Sequence, residues 1–178
     1  MSREARLAIP WVSAVLLLGN ACHETTPPFV GQTARLSECG GFAAKGDTLY
    51  ADPEAYCDAE LVHWSYDPVS RVLSLADTRV LLNCCGSRSI QASAGDGVYL
   101  INERDQPVGP RCHCQCVYDF ALDLAGVPEG ELFFKLTRDV EDDPAPAALV
   151  IEEMIDLTVS AGSFVVDDTD VGPFCTSR

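Results

Sequence analysis

Three cysteines at alternate positions, Cys112, Cys114 and Cys116, run straight into a segment in which Tyr118, Phe120, Leu122 and Leu124 alternate with Asp119, Ala121 and Asp123. Alternation with a period of two marks a strand with one buried face. If strand continues back through the cysteines, all three share a face, because successive Cβ atoms point to opposite sides. Neighbours at i and i+2 lie near the upper limit of disulfide Cα spacing, about 6.8 Å, and their Cβ vectors run parallel. Each cysteine is therefore expected to bond to another segment.

The other cysteines are Cys22, Cys39, Cys57, Cys84, Cys85 and Cys175. Cys84 and Cys85 are the nearest partners for the row in sequence. As adjacent strand residues they would face opposite ways, so both can reach it only if the chain bends, and Gly86 could supply the bend. Cys39 with Cys57 would close a separate loop, and Cys175 could tie down the C-terminal end. The alternative is a thiolate metal site in which Cys84 or Cys85 joins Cys112, Cys114 and Cys116 around zinc or copper(I). The C-x-C spacing disfavours it, because structural zinc knuckles place two to four residues between cysteines. His113 would join such a site only if the stretch turns. No C-x-x-C redox motif is present. The reading adopted is disulfides and no cofactor.

Alternation recurs from residue 32 to residue 167. Strands are predicted at 60–66, 72–75, 79–84, 89–93, 98–102, 149–151, 155–160 and 164–166, and the Tyr118 run is predicted to form a hairpin with 132–137 across Gly126-Val127-Pro128-Glu129-Gly130. Many short strands without a long amphipathic helix predict an all-β fold, an antiparallel, immunoglobulin-like β-sandwich stabilised by disulfides, occupying residues 32–178.

The first 21 residues read as a signal peptide. Arg3 and Arg6 make a positive start, and the apolar stretch from Leu7 to Gly19 is shorter than the roughly 20 residues a spanning helix needs. The leader ends Leu18-Gly19-Asn20-Ala21-Cys22, which resembles the lipobox of bacterial lipoproteins, although leucine usually stands where Gly19 does. Lipidation of Cys22 would hold the protein to a membrane, each buried methylene adding about 0.8 kcal/mol. Residues 22–31, polar and proline-bearing at their start, suit a tether. Removing the leader leaves 157 of 178 residues, with 10 basic against 26 acidic and a net charge of −16. Such a surface excludes a nucleic-acid partner and repels anionic lipid, so membrane contact must come through the acyl chains.

Asn83-Cys84-Cys85, then Cys112-x-Cys114-x-Cys116, then Tyr118-Asp119-Phe120 and the glycine-bounded turn at 126–130 resemble a group of uncharacterised bacterial exported lipoproteins. These carry N-C-C and C-x-C-x-C-x-aromatic-Asp motifs. The resemblance covers about residues 80–137 and implies export and a β-rich domain; Cys39, Cys57 and Cys175 are additions to its pattern. Elsewhere, His63 and Ser65 share a strand face without a G-x-S-x-G elbow, so a structural histidine is the better reading. The carboxylates at Asp139–Asp143 and Asp167–Asp170 lack calcium-loop spacing and read as solvated charge. The expected role is a non-catalytic lipoprotein of the cell envelope, outer-membrane in location, structural or binding an envelope protein. A soluble periplasmic or secreted form and a metal-binding lipoprotein are the alternatives.

Overall fold

The computed structural model describes residues 29–42, 59–95, 97–141 and 147–167. Nine strands account for most of them: β1 (Gly31–Leu36), β2 (Glu60–Asp67), β3 (Val72–Asn83), β4 (Ser87–Gly95), β5 (Val98–Gln106), β6 (Gln115–Ala125), β7 (Glu131–Val140), β8 (Ala148–Asp156) and β9 (Ala161–Asp167). One sheet has the order β1-β6-β3-β2-β9 and the other β4-β5-β7-β8. The fold is all-β and sandwich-like, as expected. An immunoglobulin-like strand order is a narrower claim, and here β5 and β7 run parallel within the second sheet. No helix among the described residues is long and apolar enough to cross a membrane.

Three connections are hairpins within a sheet, β2–β3, β4–β5 and β7–β8. Four others carry the chain between sheets: β3 to β4, β5 to β6, β6 to β7 and β8 to β9. The β6–β7 hairpin predicted from sequence is one of these crossings. Its turn signal is real, since Gly126 takes φ 79° and Gly130 φ 127°. Yet β6 bonds to β1 and β3, while β7 bonds to β5 and β8. A turn shows that the chain reverses; it does not show whether the returning strand pairs or stacks.

Inward side chains follow the alternation. Val62, Trp64 and Tyr66 of β2, Leu73 and Leu75 of β3 and Tyr118, Phe120, Leu122 and Leu124 of β6 meet Tyr99 and Ile101 of β5 and Leu132, Phe134 and Leu136 of β7. Burying each large apolar side chain contributes roughly 1.5–3 kcal/mol. β3 absorbs two predicted strands because a bulge lies between Asp77 and Val80. Arg79 sits there at φ 66°, and the extra residue moves the inward set from odd to even positions, so that Val80 and Leu82 reach the core. The run predicted at 149–151 lies in β8, but of the one predicted at 155–160 only Ile155 and Asp156 do; residues 157–160 form the turn that leads to β9. β1, not anticipated as a strand, pairs with β6 over six residues, and Phe29 just before it packs on Tyr99 with ring centroids 6.1 Å apart.

Gly162 of β9 faces Trp64, and a Cβ there would lie 2.7 Å from the indole Nε1. Gly162→Ala is expected to lower stability by about 1–3 kcal/mol in urea unfolding. Gly95→Ala, where a Cβ meets nothing within 4 Å, should be close to neutral; equal losses at both sites would remove the packing explanation.

Candidate functional site

β3 and β6 are neighbours in the first sheet, and both pass to the second sheet at the same end, where Asn83 pairs with Gln115. The cysteines bond at that corner. Cys84 joins Cys114, Cys85 joins Cys112 and Cys39 joins Cys116, with Cα separations of 5.6, 5.5 and 5.5 Å. Only Cys116 lies within β6, so the row does not continue as strand and the i, i+2 constraint falls away for Cys112 and Cys114. Both members of Cys84-Cys85 reach it because the chain bends, as the Gly86 argument anticipated. Asn83 sets the bend: its Nδ2 donates to the Cys112 carbonyl at 2.7 Å, and its Oδ1 accepts from Cys85 N at 2.9 Å. A Cβ on Gly86 would run into the Asp105 carboxylate and Arg111. The suggested Cys39–Cys57 loop is replaced, since the stretch after β1 keeps alongside β6 (Gly40 N to Val117 O, 2.9 Å) and brings Cys39 to Cys116. Cys22, Cys57 and Cys175 lie outside the described residues.

With its five sulfurs in disulfides, the cluster proposed as a metal site offers no thiolate in this state. No group of three or more His, Cys, Asp or Glu among the described residues is placed to hold a metal ion. His113 is exposed between its two bonded neighbours.

Charged groups beneath the corner tie it to the second sheet. Asp105, an inward residue of β5, accepts from Arg111 at 2.8 Å and lies 3.7 Å from Arg88 Nε. Arg111 also donates to the carbonyls of Cys85 and Asp105, and Arg88 to those of Gly86 and Asn83. The Arg88 guanidinium lies 3.5 Å from the centroid of the Tyr118 ring across the sandwich, a cation–π contact.

Two residues earlier on β5, Glu103 belongs to a second buried cluster. Arg138 of β7 donates through Nε to Glu103 (2.9 Å), through Nη1 and Nη2 to Glu60 of β2 (3.2 and 2.9 Å) and through Nη2 to Asp77 of β3 (2.7 Å). One guanidinium thus joins carboxylates from both sheets. Burial raises Asp77 well above the usual carboxylate range, the negative charges of Glu103 and Glu60 add to this, and Arg138 opposes it. Burial raises Glu103 as well, against the pull of Arg138. Burial alone would lower Arg138, but the three carboxylates together hold it above its ordinary value.

None of these charges was singled out from sequence, although a signal existed. Asp77 follows Leu73 and Leu75, Glu103 and Asp105 follow Tyr99 and Ile101, and Arg138 follows Leu132, Phe134 and Leu136, all in inward register. A charge at an inward position near a strand's end reads as the strand leaving the core. Here opposite charges from several strands arrive at one level.

On the outer face of the first sheet, Asp119 is buried and accepts from Phe42 N at 2.7 Å and Arg79 N at 2.8 Å. It thereby pins both the segment after β1 and the β3 bulge. His63 and Ser65 are on this face, opposite Trp64. His63 is half-buried and its pKa is lowered, by burial first and Arg79 next, while Asp119 pulls the other way. Of the carboxylates weighed as a cation site, Asp139 pairs with Arg104 at 3.4 Å; residues 142–143 and 168–170 lie outside the described residues.

Two outcomes are expected. Non-reducing peptide mapping should recover the three described disulfides, and Cys39→Ser with Cys116→Ser should cost roughly 4 kcal/mol, because that bond closes the longest described loop, with a sequence separation of 77. Arg138→Ala should cost about 3–5 kcal/mol in urea unfolding, since it strands buried carboxylates. A loss below about 1 kcal/mol would place the cluster in solvent.

Comparison of the chain with protein-family models, curated proteins and solved structures finds no match, so the functional reading rests on its own residues.

Proposed function

We propose that this protein is an exported, non-catalytic lipoprotein of the cell envelope, held to the outer membrane by lipid on Cys22, whose disulfide-stapled sandwich serves a structural or partner-binding role. The observation that carries the reading is the pairing of Cys39, Cys84, Cys85, Cys112, Cys114 and Cys116 in three bonds. Cystines persist in oxidising compartments outside the cytoplasm and are rare within it. The leader and Cys22 supply the route and the anchor, and the tether sets the domain off from the bilayer. The mature net charge of −16 favours a partner presenting basic surface rather than a nucleic acid or anionic lipid. The resemblance to exported lipoproteins with N-C-C and C-x-C-x-C motifs agrees with this, and the structure supplies a reason for the motif: Asn83 shapes the bend that lets both adjacent cysteines bond.

The test is intact mass and thiol counting on protein purified from its native envelope without reductant, with elemental analysis. The expected result is a chain beginning at an acylated Cys22, with no free thiol and no metal. Because six cysteines are paired with one another, zero free thiols would leave Cys57 and Cys175 to bond to each other. An unacylated soluble chain would overturn the anchor. Three or more free thiols with stoichiometric zinc or copper would replace this reading with a metal-binding one.

A further inference from the structure

We infer that the interior of the sandwich binds one proton, shared between Asp77 and Glu103 at neutral pH, and that its release in alkaline solution weakens the union of the two sheets. Glu60, Asp77, Glu103 and Asp105 are all at most 7% exposed, and they face Arg88, Arg111 and Arg138. Among the described residues between the sheets, four carboxylates against three guanidiniums leave one negative charge uncompensated, and an interior disfavours an unpaired charge strongly enough that the group neutralises instead.

Hydrogen bonding locates the deficit. Asp105 is met by two guanidiniums, whereas the other three carboxylates share Arg138. Arg138 engages both oxygens of Glu60 but only Oδ2 of Asp77 and only Oε2 of Glu103. Asp77 Oδ1, Glu103 Oε1 and Asp105 Oδ1 are buried without a donor, but Asp105 Oδ1 faces the Arg88 guanidinium 3.7 Å away. The Asp77 and Glu103 carboxyls lie within hydrogen-bonding reach of each other, so one proton taken from solvent removes the excess charge and forms an O–H···O bond. It also needs no room. The two groups titrate as a pair, so the proton belongs to both.

The groups facing the pair are Glu60 from β2, Arg138 from β7 and, one inward position along β5, Asp105 with Arg88 and Arg111. His63 is on the opposite face of the first sheet, paired across strands with Ala76. In the unfolded chain an aspartate releases its proton near pH 3.9. Above that the folded state keeps a proton that the unfolded state has lost, so stability falls as pH rises until the buried pair itself ionises. One retained proton corresponds to roughly a tenfold fall in the folding equilibrium constant per pH unit.

The experiment is urea unfolding of the wild-type protein and Asp77→Asn from about pH 5 upward, followed by Trp64 fluorescence. It is joined by infrared spectroscopy of the folded wild type for the carbonyl band of a buried carboxylic acid. Asp77→Asn keeps the shape, supplies an N–H toward Glu103 and removes the charge. It should fold and lose stability with pH less steeply than the wild type by about one proton, and the carboxylic-acid band should vanish. Parallel stability profiles, or a folded wild type without that band at neutral pH, would overturn the inference. So would stability that depends on a chelator-removable cation. If Asp77→Asn fails to fold, Glu103→Gln and the wild-type infrared band decide between the same outcomes.

Discussion

The pairing of β3 with β6 carries the rest of the architecture. These strands are adjacent in the middle of the five-stranded sheet, and both depart for the other sheet where their ladder ends at Asn83 and Gln115. One further in-register backbone bond follows, from Cys84 N to the Cys114 carbonyl at 3.2 Å, before the chain turns through the thickness of the sandwich. Cys84–Cys114 and Cys85–Cys112 take over the connection covalently, just past the last ladder pair. Two sheet-switching corners that would otherwise separate are thus held as one unit. Cys39–Cys116 fastens the segment after edge strand β1 to the same strand, β6.

Beneath that end, the interior changes character. One end of the sandwich is filled by Leu73, Leu75, Leu122, Leu124, Phe134 and their neighbours; the stapled end holds charges that must meet partners with defined geometry. Apolar packing is tolerant of small shifts between sheets, because area counts for more than direction. A guanidinium bonded to Glu60 and Asp77 from one sheet and Glu103 from the other is not tolerant. Buried ion pairs add little net stability over a well-packed apolar core, but each partner is costly to lose. In this sandwich they join Glu60 and Asp77 of one sheet to Arg138 and Glu103 of the other.

The two faces of β6 summarise how structure and role are related. Inward, it presents Cys116, Tyr118, Phe120, Leu122 and Leu124 to the core. Outward, Asp119 holds the β3 bulge and the chain beyond β1 through two backbone N–H groups. The aromatic-Asp pair after the cysteine row therefore has a structural task on both sides. Residues that sequence alone offered to hydrolysis, His63 and Ser65, share the outer face with Asp119, where burial and Arg79 favour the neutral imidazole.

Much of the fold was legible because period-two alternation is local: a strand with one buried face must alternate, and Tyr118 to Leu124 does so without exception. Cysteine content was legible for the same reason, being a property of residue type and order. Alternation could not tell which strands pair. The turn at 126–130 reads identically whether β7 returns beside β6 or crosses to the other sheet, and the outcome depends on partners distant in sequence. β1 was missed because, apart from half-buried Gly31, its residues are exposed along the rim of the sheet and carry no buried alternation. The bulge at Arg79 looked like a break because a shift of inward parity and an interruption leave the same trace. Sequence alone thus determined most of the strands, the disulfide chemistry and the charge. Only the tertiary structure decided which cysteines meet and that Asp77, Glu103 and Arg138 are buried together, because the neutralising partner of an inward charge lies on another strand and often in another sheet.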